Sequence, residues 1–172
     1  GDEFRSYHKY FEEIGELFGN ELAKRTQDFA NAMVNKVKNE AFKNRFNVVI
    51  EGTFRTTETP LNEIKNLRRL GYSVGIIICT CPKNISWEST IKRGDEQKTN
   101  GLPPRYVAKE IHDYITDNLA KNVSYVYANE CPDFLEIYSR NKLLFNSKLN
   151  NSNEIVKIIN DELNDRTNWR RC

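Results

Sequence analysis

The sequence predicts an α/β fold built on a parallel sheet, and three observations carry that prediction. Residues 47–50 are a short β-branched run that reads as a buried strand. Residues 73–81 are a second, nearly all-apolar run, expected to be central and covered on both faces. Between them lies an amphipathic helix, so strand, helix and strand alternate from residue 45 to 90, the pattern of a parallel sheet. Two such strands do not make a stable open sheet, and the missing strands are expected upstream of Gly1.

The remaining elements follow from local signals. Residues 11–19 form a short helix with Phe11, Ile14, Leu17 and Phe18 on one side, and residues 21–44 a longer one with Phe29, Met33 and Val37 at helical spacing. In the inter-strand helix, Pro60 follows the cap candidates of Thr57-Glu58-Thr59. Leu61, Ile64, Leu67 and Leu70 make its apolar stripe, and Gly71 ends it. Pro82 and Asn84 break the second strand, and residues 86–92 begin another helix. Residues 92–105 are polar, contain two glycines and two prolines, and read as a mobile loop or lid. Residues 106–129 are helical with an expected break near Asn122. Residues 134–139 and 143–146 form a strand pair around Arg140-Asn141-Lys142. A helix over 153–163 and a polar tail over 165–172 complete a single domain, 1–172.

Composition bounds the function. A chain of 172 residues can bury a proper core, and 29% charged with 38% hydrophobic residues suits a folded chain. A net charge of +2 argues against a general polyanion binder. Lys65, Arg68 and Arg69 make a basic patch with no interleaved aromatics, and Arg170-Arg171 is an ordinary tail, so nucleic acid is not an expected partner. No apolar run reaches membrane-spanning length. The four cysteines show neither a disulfide framework nor zinc-ligand spacing with His8 and His112. Cys79, Cys81, Cys131 and Cys172 are therefore expected as reduced thiols in a cytosol, two of them in or near the core.

The candidate chemistry lies in Asp2, Glu51, Thr53, Arg55, Arg93 and Arg105. Open α/β sheets bind ligands beyond the carboxyl ends of their strands, which is where Glu51, Thr53 and Arg55 fall. An acid there can take a proton from a hydroxyl, and arginines on a lid can neutralise a transferring phosphoryl group. Each residue alone reads equally well as solvated surface, a turn cap or a surface ion pair.

Together they resemble the zeta toxin family of bacterial toxin–antitoxin systems. The matching stretches are Gly1-Asp2-Glu3-Phe4-Arg5-Ser6-Tyr7-His8, Val49-Ile50-Glu51-Gly52-Thr53-Phe54-Arg55-Thr56-Thr57 with Pro60, Gly71-Tyr72, Thr90-Ile91-Lys92-Arg93, and Arg105 seven residues before His112-Asp113. The resemblance runs from residue 1 to about 147. It implies a P-loop kinase fold with a small C-terminal strand pair. It also implies transfer of the ATP γ-phosphate, with Mg2+, to the sugar 3′-hydroxyl of UDP-N-acetylglucosamine, which is toxic because it blocks cell-wall synthesis. An epsilon-like antitoxin is the implied protein partner, and the cytoplasm the implied location. By position, Asp2 resembles the catalytic base, and Thr53 and Glu51 resemble substrate contacts. Arg93 and Arg105 resemble the pair that reaches the ATP phosphates, and Arg55 resembles a structural or near-substrate group.

The sequence departs from the family pattern in three places. It contains no Gly-x-x-x-x-Gly-Lys-Ser/Thr; in the family this loop lies on the N-terminal side of Asp2, so the chain is expected to begin after it. Asn35 stands where the family often has a sugar-binding Glu, and His8-Lys9 replaces a common His-Pro. Two alternatives stay open: another small P-loop kinase with a different acceptor, and an inactive fragment that only binds an antitoxin.

Overall fold

The computed structural model describes residues 1–102, 104–140 and 142–166, with the side chain of Asn20 excepted. The expected tail with Cys172 and Arg170-Arg171, Asn141 of the strand turn, and Pro103 lie outside the described residues. The chain divides into two compact units, Gly1–Glu51 with Thr90–Tyr106, and Gly52–Ser89 with Val107–Cys172.

The first unit is helical. A 3-10 helix, Asp2–Tyr7, precedes α1 (Phe11–Phe18), α2 (Leu22–Arg25) and α3 (Gln27–Lys43). The single helix expected over 21–44 is interrupted at Thr26, whose Oγ1 donates to the Leu22 carbonyl at 2.7 Å. The Leu22 carbonyl accepts from the Thr26 N–H as well, at 3.1 Å, a doubled bond of the kind that weakens and bends a helix. Arg5 is the buried centre of this unit. Its guanidinium donates to Asp2 Oδ1 at 3.1 Å, Thr26 Oγ1 at 3.1 Å, Gln27 Oε1 at 2.7 Å and the Ala23 carbonyl. Burial lowers its pKa from the usual arginine value. The apolar side expected for α1 is not buried: Leu17 is 75% exposed.

Residues 46–54 form no strand, contrary to the expectation for 47–50. Val49 is 99% exposed and Ile50 41%. β-branched composition favours a pleated, half-buried surface but does not create one. A strand needs a ladder partner for its N–H and C=O groups, and among the described residues none pairs with this segment.

The second unit carries the sheet: α4 (Glu58–Arg69), β1 (Gly75–Thr80), the start of α5 (Lys83–Thr99), α6 (Lys109–Glu130), β2 (Phe134–Ser139), β3 (Lys142–Asn146) and α7 (Ile155–Leu163). α4 begins and ends where Pro60 and Gly71 place it. Gly71, at φ 82°, closes the helix with Gly71 N–H to Arg68 O at 2.8 Å and Tyr72 N–H to Leu67 O at 3.0 Å. Arg68 then donates to the Glu130 and Cys131 carbonyls, capping the C-terminus of α6.

β1 and β2 run parallel and β2 and β3 antiparallel, in the order β1-β2-β3. The parallel register is set by mutual bonds between Val74 and Asp133: Asp133 N–H to Val74 O at 2.8 Å, and Val74 N–H to Asp133 Oδ2 at 2.6 Å. Ile76, Ile78, Leu135, Ile137 and Phe145 are buried with Val123 and Val126 of α6 and Ile155 and Ile159 of α7. The fold class is thus α/β, with a parallel strand pair and an added antiparallel strand. β1 is an edge among the described strands and buries only alternate residues, so it is neither central nor covered on both faces. Cys79 lies on its exposed face, and Cys131 is also exposed; with Cys81 both are free thiols. Burial raises the Cys81 thiol above its usual pKa.

Two further expectations are corrected. α5 continues to Thr99, so most of the stretch expected as a lid is helix. α6 does not break at Asn122.

Two stability predictions follow from these contacts. A Cβ at Gly75 would lie 2.1 Å from the Phe134 ring, so Gly75→Ala should destabilise the second unit by about 1–3 kcal/mol, read by thermal or urea unfolding. Arg5→Ala removes a buried cation from four acceptors and should cost roughly 3 kcal/mol or more, whereas loss of a surface ion pair costs about 0–1 kcal/mol. Unfolding midpoints equal to the native ones would refute each.

Candidate functional site

Of the sequence-derived set, the structure brings two residues into contact. Asp2 sits in the first turn of the N-terminal 3-10 helix, and its carboxylate accepts from Arg5 through Oδ1 and from Arg105 through Oδ2. The pair with Arg5 is fixed from below, because that guanidinium is buried. The pair with Arg105 is half-exposed on both sides. Asp2 therefore holds one immovable and one exchangeable cation.

Arg105 is positioned by the end of α5. Its backbone N–H donates to Gln97 Oε1 at 2.9 Å. Gly101, at φ 71°, and Leu102 donate back to Lys98 O and Gln97 O, closing the helix. The neighbouring Tyr106 donates its phenol to Asp95 Oδ1 at 2.7 Å, which raises the phenol's pKa. Arg93 lies on the same helix, exposed, with no side-chain partner among the described residues.

The other candidates are not gathered. Asn35 is an exposed residue of α3, and Glu51 is an exposed residue outside any helix or strand, both in the first unit. Thr53 and Arg55 are exposed and belong to the second unit. There the segment is anchored by a residue that sequence reasoning took for a helix breaker. Asn122 Nδ2 donates to Phe54 O at 2.9 Å and Arg55 O at 3.1 Å. Phe54 itself has φ 50°, a left-handed conformation that is uncommon for an aromatic residue. A polar amide in mid-helix with no capping role was the available signal for Asn122. Arg5 and Tyr106 were equally unremarked: nothing in the spacing shows that an arginine will be buried or a tyrosine laid on a helix.

The second unit also contains a cavity of about 460 Å3, lined by Lys83, Asn84, Trp87, Lys109, Leu163, Asn164, Asp165 and Arg166. None of these is in the candidate set. Lys83 pairs with Asp117 at 2.7 Å and Asp113 at 3.2 Å, and Lys109 pairs with Asp113. These carboxylates cancel the lysine charge that would attract a phosphate. Beside them His112 is buried against Trp87, and desolvation lowers its pKa. Its Nδ1, 3.6 Å from Asp113, is too far for a hydrogen bond.

A zeta toxin family profile matches residues 1–156. The chain belongs to the Zeta toxin family. It is 31% identical over 152 residues to Toxin PezT of Streptococcus pneumoniae, covering 87% of this chain and 60% of that protein. It is 26% identical to Toxin zeta of Streptococcus pyogenes, covering 86% of this chain and 52% of the relative. A solved structure from the PezAT chromosomal toxin–antitoxin system of Streptococcus pneumoniae superposes with a TM-score of 0.80 at 24% identity, covering 94% of this chain and 64% of that one. The chain spans about half to two thirds of the length of the proteins it matches. Among its described residues no helix is long and apolar enough to cross a membrane, and no group of three or more His, Cys, Asp or Glu could hold a metal.

The lysine pairs give a pH prediction. Hydrogen bonds from Lys109, then Lys83, hold the Asp113 carboxyl at about 2, below its ordinary 3.8. A depressed carboxyl stabilises the fold above 3.8, and that contribution is lost as pH falls through about 2. An NMR titration of the Asp113 carboxyl should show the low midpoint, and Lys109→Ala should move it up towards 3.8. An ordinary midpoint in the native protein would remove both lysines from the argument.

Proposed function

We propose that this protein is the toxin of a toxin–antitoxin pair and acts as an ATP-dependent kinase on the sugar hydroxyl of UDP-N-acetylglucosamine. The observation that carries the reading is the Asp2–Arg105 contact in a chain of this family. It joins an acid suited to accept a hydroxyl proton with a cation suited to bind phosphate.

In the proposed reaction Asp2 takes the proton of the sugar 3′-hydroxyl. The freed oxygen attacks the γ-phosphorus of ATP, the bond to the bridging oxygen breaks, and ADP leaves. Arg105 and Arg93 would grip the phosphates, because a guanidinium matches phosphate oxygens with paired donors. Thr53 and Glu51 would contact the sugar nucleotide, with Arg55 nearby. Among the described residues these arginines are the groups that would meet the ATP phosphates. The described residues supply no acidic cluster for magnesium, so no step is assigned to that ion. The antitoxin, an epsilon-like protein, would bind the toxin and silence it.

One observation favours a second acceptor. Asn35 is a neutral amide where a carboxylate would bind sugar hydroxyls, so a related small-molecule hydroxyl belongs in the same assay.

The test is phosphoryl transfer by the full gene product with ATP, magnesium and UDP-N-acetylglucosamine, read as ADP release and phosphorylated sugar nucleotide. Asp2→Asn should lower turnover about 10^2- to 10^4-fold while leaving the unfolding midpoint within a few degrees. Undiminished turnover in that variant would remove Asp2 as the base. Transfer to another hydroxyl compound, with none to the sugar nucleotide, would replace the acceptor.

A further inference from the structure

α5 contains a glycine at a position where helix propensity disfavours it. Glycine in a helix interior costs about 1 kcal/mol relative to alanine. Gly94 is nonetheless the one buried residue of this helix. The reason is the Tyr106 ring. A Cβ built on Gly94 would fall 2.4 Å from Tyr106 Cε1 and 2.5 Å from Cδ1. The ring lies directly on the helix backbone, closer than any residue with a side chain would allow.

Three contacts reinforce this approach within four residues of α5. The ring covers Gly94, its phenol bonds to Asp95, and the preceding backbone N–H bonds to Gln97. All belong to the first unit. Arg93 immediately precedes Gly94, and Arg105 immediately precedes Tyr106. The clasp therefore ties together the two chain positions that carry the candidate phosphate-binding arginines, although residues 100–104 separate them from the helix end.

We propose that Gly94 and Tyr106 are positioning residues that hold the backbone at Arg93 and Arg105 so that both arginines can reach one polyphosphate. The inference rests on the kinase reading for the choice of Arg93 and Arg105 and for the nature of the ligand, a nucleoside triphosphate or another polyphosphate. Its physical content is preorganisation. Two arginines whose backbones are held together need less ordering to reach one polyphosphate than two arginines on a loose loop. Asp95 and Gln97 add direction to the clasp, and Gly94 and the ring supply its closeness.

The experiment uses the full gene product and titrates ATP, then tripolyphosphate, by calorimetry, with no sugar nucleotide present. Gly94→Ala forces the ring off the helix, and Tyr106→Ala removes the ring. Each should weaken binding by about ten-fold or more through lost preorganisation, and in the separate phosphoryl-transfer assay KM for ATP should rise more than kcat falls. Tyr106→Phe keeps the ring and should recover most of the loss. Tyr106 is 46% exposed, so its truncation should leave the unfolding midpoint close to native even where Gly94→Ala lowers it. Native affinity in a folded Tyr106→Ala protein would overturn the inference. So would equal losses in the Phe and Ala variants, or no binding of either ligand by the native protein. Binding that follows the expected pattern without phosphorylation of UDP-N-acetylglucosamine would leave the grip in place and refute only the acceptor.

Discussion

The buried guanidinium of Arg5 is the constraint on which the first unit depends. That unit has no strand among its described residues, and its buried apolar side chains are few: Leu22, Ala30 and Phe42. Hydrophobic area alone gives it little cohesion. The 3-10 helix is instead tied to the α2–α3 junction by one cation with four acceptors. A buried cation stabilises only when its donors are satisfied, and here acceptors surround it. The interruption of the helix at Thr26 belongs to the same device. Thr26 Oγ1 accepts from Arg5 while its own proton goes to Leu22 O, so the break in the helix presents an acceptor to the cation.

The second unit is held together by a different physics. Val123, Val126, Leu135, Ile137 and Ile159 are wholly buried, and the sheet register is fixed by a backbone and a side-chain bond between Val74 and Asp133. Such a core is what sequence periodicity reports. The presence of β1, the stripe on α4 with its glycine cap, the β2–β3 pair and the terminal helix were legible for that reason, whereas the one-sided burial of β1 was not. Reading failed where pattern and partner part company. Residues 47–50 have strand composition but no ladder, and residues 92–99 have loop composition but are helical. In the latter, Gly94 serves a ring contact that no local rule could anticipate.

The candidate site shows the same division. Motif resemblance singled out Asp2 and Arg105, which do meet, because an acid and a cation are the residue types that the proposed chemistry would use. It could not identify what holds them. Arg5 and Gln97 hold Asp2 and Arg105, and Asn122 holds Phe54 and Arg55, through contacts over separations from three to sixty-eight residues, and no local pattern in the sequence marks these side chains. Asn122 is the instructive case. A residue that lowers helix propensity was read as a break, yet the helix continues and its amide holds the Phe54 and Arg55 carbonyls.

The two cations on Asp2 differ in a way that bears on the order of events in the proposed reaction. Exposed ion pairs contribute about 0–1 kcal/mol, so Arg105 is lightly held. A triphosphate offers it several more negative oxygens in a geometry that a guanidinium matches with two donors. Exchange from carboxylate to phosphate is then favourable, and it uncovers the oxygen of Asp2 that must receive a proton. Arg5 is held more firmly, because leaving its pocket would break its bonds to the Ala23 carbonyl, Thr26 Oγ1 and Gln27 Oε1 as well. The carboxylate therefore keeps its orientation while one oxygen is freed. In this order the arrival of the phosphates exposes the base, and the acid is covered whenever the phosphate grip is empty.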